Sequence, residues 1–134
     1  MTGVQTCALP IFRERLAQAE PDRADYQRDL SVFYERMGDL FGALGQGEEA
    51  RQAFQKSLAI AERLAQAEPD RADYQRGLIV SYVKMSETEP AAARVWLSQA
   101  LDVARSLQSG GRLAPADTWM LDDLARRLAG LSDG

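Results

Sequence analysis

The chain has 134 residues, a net charge of -4 and 46% hydrophobic residues, values that are ordinary for one globular domain. Its basic residues are interspersed with acidic ones and no apolar run approaches the ~20 residues of a membrane span, which excludes a basic nucleic-acid-binding stripe and a transmembrane helix. It contains no histidine and no Gly-rich phosphate loop, so the composition predicts no enzyme, no metal site and no cofactor, in a cytoplasmic protein with neither a nucleic-acid nor a membrane partner.

The first eleven residues share no periodicity with the rest of the chain. Met1–Ile11 is similar to the in-frame translation of a common sequencing-adapter tail, read from a gtg start codon. Such segments are set aside in fold reasoning. We therefore predict a non-native tail at 1–11, a helical repeat domain at 12–134, and a native N-terminus that is missing. The alternative is a native tail. If the tail is foreign, Cys7 does not report a redox compartment.

Apolar residues spaced three and four apart predict about six helices in chain order. The stretch from Phe12 to Ala19 is typical of a helix end. Pro21 breaks that helix, and Asp22 is predicted to cap the next one. The next helix, at 23–44, carries its apolar stripe at Tyr26, Leu30, Phe33, Tyr34, Met37, Leu40, Phe41 and Leu44.

Glycine and proline mark the remaining helix boundaries. Gly45 is predicted to end the 23–44 helix in a left-handed conformation. Further helices are predicted from Glu48 to a second proline break at Glu68, at 71–87, at 90–108 and from Pro115 onwards. The last of these is predicted to cap the domain with a charged outer face made of Asp122, Asp123, Arg126 and Arg127.

Fifteen residues, Glu14–Arg28, recur letter for letter at Glu62–Arg76 with an offset of 48. The register continues beyond the identity. The second copy then shortens by five residues, because Gly38 to Ala50 spans 12 positions and Ser86 to its counterpart Ala93 spans 7. Repetition at such a period is the signature of a solenoid. We therefore predict an all-α solenoid of antiparallel helix pairs.

The unit that begins at Ser31 resembles a tetratricopeptide repeat. That family favours a small residue, an aromatic residue, alanine and phenylalanine at four fixed positions, which here are Gly38, Phe41, Ala50 and Phe54. The period of 48 departs from the family's 34 because both helices are longer. Ser57 stands where alanine is usual. The resemblance implies a right-handed superhelix.

The repeated block also resembles long-repeat bacterial proteins in which such arrays follow an N-terminal effector or signalling domain. The resemblance implies a protein-interaction scaffold that forms the C-terminal arm of a larger bacterial protein and binds a peptide or helix on its concave face. By carry-over, that face consists of Val32, Glu35, Asp39, Val80, Val83 and Glu87. The carboxylate clamp of some members of the family needs asparagine, which this chain lacks, so that binding mode is excluded.

Several alternatives stay open. The chain is alternatively a self-association module, a homo-oligomer formed through an apolar N-terminal repeat face that loss of upstream helices would expose. Trp96 and Trp119 form either a ligand-stacking pair or packing contacts, and packing is favoured. Four aspartates form either a cation site or helix caps and ion pairs, and the caps and ion pairs are favoured. They are Asp22, Asp25, Asp70 and Asp73.

Overall fold

The computed structural model describes residues 23–131, and every regular element in that range is helical. The α-helices are α1 (Ala24–Ala43), α2 (Gly47–Ala67), α3 (Ala72–Thr88), α4 (Ala93–Ser109) and α5 (Trp119–Gly130), with 3-10 turns at Pro90–Ala92 and Pro115–Asp117. The all-α prediction is confirmed for these residues. The adapter-like segment Met1–Ile11 and the predicted helix end at Phe12–Ala19 lie outside them.

Glycines and prolines set the helix boundaries. Gly45 follows α1 with a φ of +75°, as predicted, and Gly111 follows α4 with a φ of +69°. Glycine adopts this left-handed conformation without a steric penalty. The helices predicted to begin at Pro90 and Pro115 begin later, because each proline opens a 3-10 turn that tightens the chain before the α-helix starts.

The starts of α1 and α3 are built in the same way. Arg23 pairs with Asp25 and Arg71 pairs with Asp73, both at 2.8 Å, and each guanidinium also lies over the ring of the tyrosine that follows the aspartate. The predicted cap at Asp22 lies outside the described residues; Arg23 occupies the N-cap position of α1 and makes no side-chain capping hydrogen bond. Its guanidinium instead holds a first-turn carboxylate, where the helix dipole favours negative charge.

The chain divides into two compact units, Met1–Ile60 and Ala61–Gly134. In unit 1, α1 approaches α2 closely at Gly38, where an added Cβ would lie 2.5 Å from the ring of Phe54. Ser31 and Ser57 lock the same contact, because each hydroxyl donates to the other residue's backbone carbonyl, at 3.1 and 2.8 Å. Ser57 therefore has a structural partner that an alanine at this position would lack.

In unit 2, α4 packs against both α3 and α5. Arg76 near the start of α3 pairs with Asp117 just before α5 at 2.9 Å. Glu87 near the end of α3 pairs with Arg127 towards the end of α5 at 3.4 Å. The start of α3 thus lies near the start of α5, and the end of α3 near the end of α5. The two helices therefore run side by side in the same direction.

Burial follows the repeat. Four positions of α2 are buried, and so are their four counterparts on α4. The pairs are Ala50 and Ala93, Phe54 and Leu97, Ser57 and Ala100, and Ala61 and Ala104. Exchanges between the two copies compensate in size. Gly38 and Phe54 of unit 1 correspond to Ser86 and Leu97 in unit 2. The hydrogen-bonded Ser31 and Ser57 correspond to Ile79 and Ala100. The two copies thus use different side chains at equivalent helix contacts.

The predicted apolar stripe of α1 is correct along most of its length and wrong at its end. Leu30 is buried, and Phe33, Tyr34, Met37 and Phe41 are half-buried. Leu40 and Leu44, however, are exposed. Helical periodicity marks the apolar side of α1 but does not fix how much of that side is covered, and the last turn of α1 keeps two leucines at the surface.

Tyr82 links α3 to the end of α2. Its hydroxyl donates a hydrogen bond to the carboxylate of Glu62 at 3.4 Å, and its ring stacks on Trp96. Burial, and then the negative charge and hydrogen bond of Glu62, raise the pKa of Tyr82 to about 12. The folded state therefore holds this proton more tightly than an unfolded chain does.

We expect the fold to lose stability as the pH rises from about 10 to about 12. In this window an unfolded tyrosine has released its proton while folded Tyr82 still holds it, so the unfolded state binds fewer protons and gains relative stability. Urea unfolding across this pH range, followed by circular dichroism, measures the effect. Tyr82→Phe is expected to flatten the curve relative to Tyr74→Phe, which removes a hydroxyl elsewhere on α3. Identical curves for the two variants would contradict the assignment.

Candidate binding surface

A groove of about 130 Å³ runs between α3 and α5 in unit 2. Both helices give the groove an apolar lining: Ile79, Val80 and Val83 from α3, and Met120 and Leu124 from α5. Ile79, Met120 and Leu124 are buried, whereas Val80 and Val83 are half-buried. The groove therefore has a packed base and walls that a partner side chain can reach.

Charged side chains stand at the end of the groove near Glu87. Arg127 donates to Glu87 at 3.4 Å and to Asp123, one turn earlier on its own helix, at 2.9 Å. Partial burial lowers the pKa of Arg127, but the hydrogen bonds and charges of Asp123 and Glu87 outweigh that effect and raise the pKa overall. The Glu87 side chain is 51% exposed and its bond to Arg127 is long, so its carboxylate keeps accepting capacity on the open side.

The structure brings three of the six sequence-predicted surface residues together. Val80, Val83 and Glu87 all line the groove. The other three lie on α1 in unit 1, where Val32 and Asp39 are exposed and Glu35 is half-buried. A binding face made of all six residues stays a prediction.

The predicted charged outer face of the last helix is correct at three of its four residues. Asp122, Arg126 and Arg127 are exposed, whereas Asp123 is half-buried; Asp123 and Arg127 both line the groove. Since α5 lies alongside α3, Arg127 of this i,i+4 pair reaches Glu87 while it stays exposed to solvent. Sequence reasoning missed the contribution of α5 to the groove. The available signal was the spacing of Trp119, Asp123 and Arg127, four residues apart on one side of the helix.

The two tryptophans of unit 2 have different environments. Trp96 in α4 stacks on Tyr82 with ring centroids 6.0 Å apart and an interplanar angle of 24°. Trp119, at the start of α5, is 57% exposed at the edge of the groove. Packing, the favoured interpretation, therefore holds for Trp96, and Trp119 presents its indole to the surface.

Unit 1 contains a larger pocket, of about 280 Å³, between α1 and α2. This space far exceeds the ~10–15 Å³ that one water molecule needs, so it has room for a side chain. At the rim of the pocket, the Nζ of Lys56 lies 5.3 Å from the centroid of the Tyr34 ring. The apolar lining residues are Phe33, Tyr34, Met37, Phe41 and Ala53, and the polar ones are Glu49, Gln52 and Lys56.

Three of the four aspartates considered as a cation site lie in the described range, and each of them pairs with an arginine. Asp25 and Asp73 are paired as described above, and Asp70 lies 3.2 Å from Arg112. Within residues 23–131, no group of three or more His, Cys, Asp or Glu side chains is placed to hold a metal ion. In the same range, no helix combines the length and apolarity that crossing a membrane requires.

Comparison with known protein families, with curated proteins and with solved structures finds no match for this chain. The tetratricopeptide resemblance therefore stays a prediction drawn from the positions of Gly38, Phe41, Ala50 and Phe54.

Proposed function

We propose that this chain is a non-catalytic protein-interaction arm, an α-solenoid of the tetratricopeptide type, and the C-terminal part of a larger bacterial, cytoplasmic protein. The observation that carries the proposal is the groove of unit 2. Val80, Val83 and Glu87, selected from the sequence alone, stand there together beside the exposed indole of Trp119. The parallel course of α3 and α5 supports the solenoid, because stacked helix pairs place alternate helices side by side.

The groove favours a partner peptide with one apolar anchor next to a lysine or arginine. Its volume of about 130 Å³ and its valine walls suit a single aliphatic side chain, of the kind that an amphipathic helix inserts into a partner's groove. The half-exposed carboxylate of Glu87 at the end of the groove offers a partner's cation a charge-assisted hydrogen bond. Specificity then comes from the spacing between the anchor and the cation.

The test is selection of binding peptides from a displayed library of random peptides, followed by fluorescence anisotropy with the enriched sequences. We expect these peptides to share a leucine-like residue next to Lys or Arg. Val83→Glu places a charge in the apolar wall and is expected to weaken binding tenfold or more, an effect of about 1.4 kcal/mol or more. Glu87→Gln is expected to abolish the preference for the adjacent cation.

The matched control is Val95→Glu. Val95 is 55% exposed on α4 of the same unit and lies outside the groove, so this variant adds the same charge without touching the apolar wall. Its affinity for the selected peptides is expected to stay within about twofold of the wild type. A library that yields no peptide whose binding depends on Val83 would overturn the proposal.

Self-association is the second candidate function. Two features together favour it: the exposed indole of Trp119 and the open aromatic pocket beside Tyr34. Large aromatic side chains at a surface are frequent anchors of protein–protein contacts.

A further inference from the structure

The pocket of unit 1 corresponds, by repeat register, to a place that a tryptophan occupies in unit 2. Tyr34 is equivalent to Tyr82 at the offset of 48, and Ala53 is equivalent to Trp96 after the five-residue shortening. In unit 2 the indole of Trp96 stacks on Tyr82. In unit 1 the alanine leaves the corresponding space open, and that space is the 280 Å³ pocket.

The rim of the pocket also suits an indole. In unit 2, Trp96 Nε1 is buried and has no hydrogen-bond partner among the described residues. The positions next to it in the repeat are Ala92 and Val95, which offer no side-chain acceptor. In unit 1 the equivalent positions are Glu49 and Gln52, and both line the pocket. A guest indole would therefore find side-chain acceptors for its N–H that the resident indole of unit 2 lacks.

The chain itself supplies such an indole. Trp119 is 57% exposed at the start of α5, and Asp122 stands exposed one turn later on the same helix. At the rim of the pocket, Lys56 is exposed and lies over the Tyr34 ring. Within residues 23–131, neither Lys56 nor Asp122 takes part in an ion pair, so the two surfaces carry opposite charges beside the aromatic contact.

We propose that Trp119 of one copy inserts into the α1–α2 pocket of a second copy, between Tyr34 and Ala53, with Asp122 facing Lys56. The contact is heterologous, since the donor lies in unit 2 and the acceptor in unit 1. Each copy therefore keeps one donor and one acceptor free for further copies, and association proceeds head to tail. The inference rests on the self-association candidate and does not require peptide binding in the groove, which Trp119 also lines.

Analytical ultracentrifugation of the 134-residue chain over a wide concentration range tests this contact. Wild type is expected to grow in mass with concentration beyond a dimer. Trp119→Ala removes the donor, and Ala53→Trp fills the acceptor as unit 2 fills its own. Each variant alone is expected to stay monomeric, with the apparent dissociation constant raised at least tenfold. An equimolar mixture of the two is expected to form a dimer and nothing larger, because one acceptor and one donor remain.

Two controls keep the outcome decisive. Gln55→Trp adds the same side chain at an exposed position of α2 outside the pocket, and is expected to associate like the wild type. Should Ala53→Trp disturb folding, Lys56→Asp blocks the acceptor from the exposed rim, and adding Asp122→Lys in the same chain is expected to restore association. A monomeric wild type, or association that survives Trp119→Ala, overturns the contact. A monomeric wild type does so without bearing on peptide binding.

Discussion

Replacing Gly38 with alanine is expected to destabilise unit 1 by about 1–3 kcal/mol, the usual cost of overpacking a well-packed contact. The new Cβ would lie 2.5 Å from the Cε1 atom of Phe54, a distance that non-bonded carbon atoms do not tolerate. Phe54 is only 5% exposed, so its ring cannot swing into solvent to relieve the clash. Chemical unfolding monitored by circular dichroism measures the loss.

The matched control is Gly77→Ala. Gly77 lies inside α3. Apart from its chain neighbours and the nearby backbone of its own helix, no atom lies within 4 Å of the place that an alanine methyl group would take, so alanine there meets open space. Because glycine is a poor helix former, this change is expected to stabilise the chain by about 0.5–1 kcal/mol. The two identical substitutions thus have opposite expected signs. Equal effects would show that Gly38 makes no close approach in solution.

A second-site change tests the same contact from the other helix. Unit 2 carries Ser86 and Leu97 at the positions of Gly38 and Phe54, a larger residue on one helix and a smaller one on the other. Phe54→Leu is therefore expected to recover part of the stability that Gly38→Ala removes. Failure of this rescue would mean that the two copies do not share one packing scheme.

The repeat made much of this fold predictable. The repeated block fixes the register between the two copies, and this register pairs buried positions of α2 with buried positions of α4. Close contact at Gly38 was also predictable, since a glycine in mid-helix opposite a phenylalanine has a packing reason. The Arg–Asp pairs at the starts of α1 and α3 have the same length, 2.8 Å, because their sequences are identical.

The candidate surfaces were less predictable, for a physical reason. Helical periodicity says which side of a helix is apolar, but not which neighbour covers it or how far the cover extends. Leu40 and Leu44 continue the apolar stripe of α1 and are nevertheless exposed. Asp123 and Arg127 look like solvent-facing charges, yet both line a groove and Asp123 is half-buried. Both outcomes depend on the position of neighbouring helices, which the local sequence pattern does not give.

Met85→Ala is expected to cost about 2–5 kcal/mol, while Met37→Ala, at the equivalent position of unit 1, is expected to cost less than about 2 kcal/mol. The repeat register alone predicts equal effects, because Met85 is the counterpart of Met37 at the offset of 48. Met85 is 0% exposed, so its removal leaves an enclosed cavity. Met37 is half-buried and lines an open pocket, where truncation only enlarges a space already present.

Both tryptophans of the chain belong to unit 2, so their fluorescence reports on that unit, while circular dichroism reports on both. Met85→Ala is expected to lower the unfolding midpoint of the fluorescence signal, and Met37→Ala to leave it nearly unchanged. If Met37→Ala proves as costly as Met85→Ala, the pocket beside Tyr34 is closed in solution. The head-to-tail contact would then lose its acceptor, so this pair of alanine variants also tests whether the open space in unit 1 is a property of the folded chain.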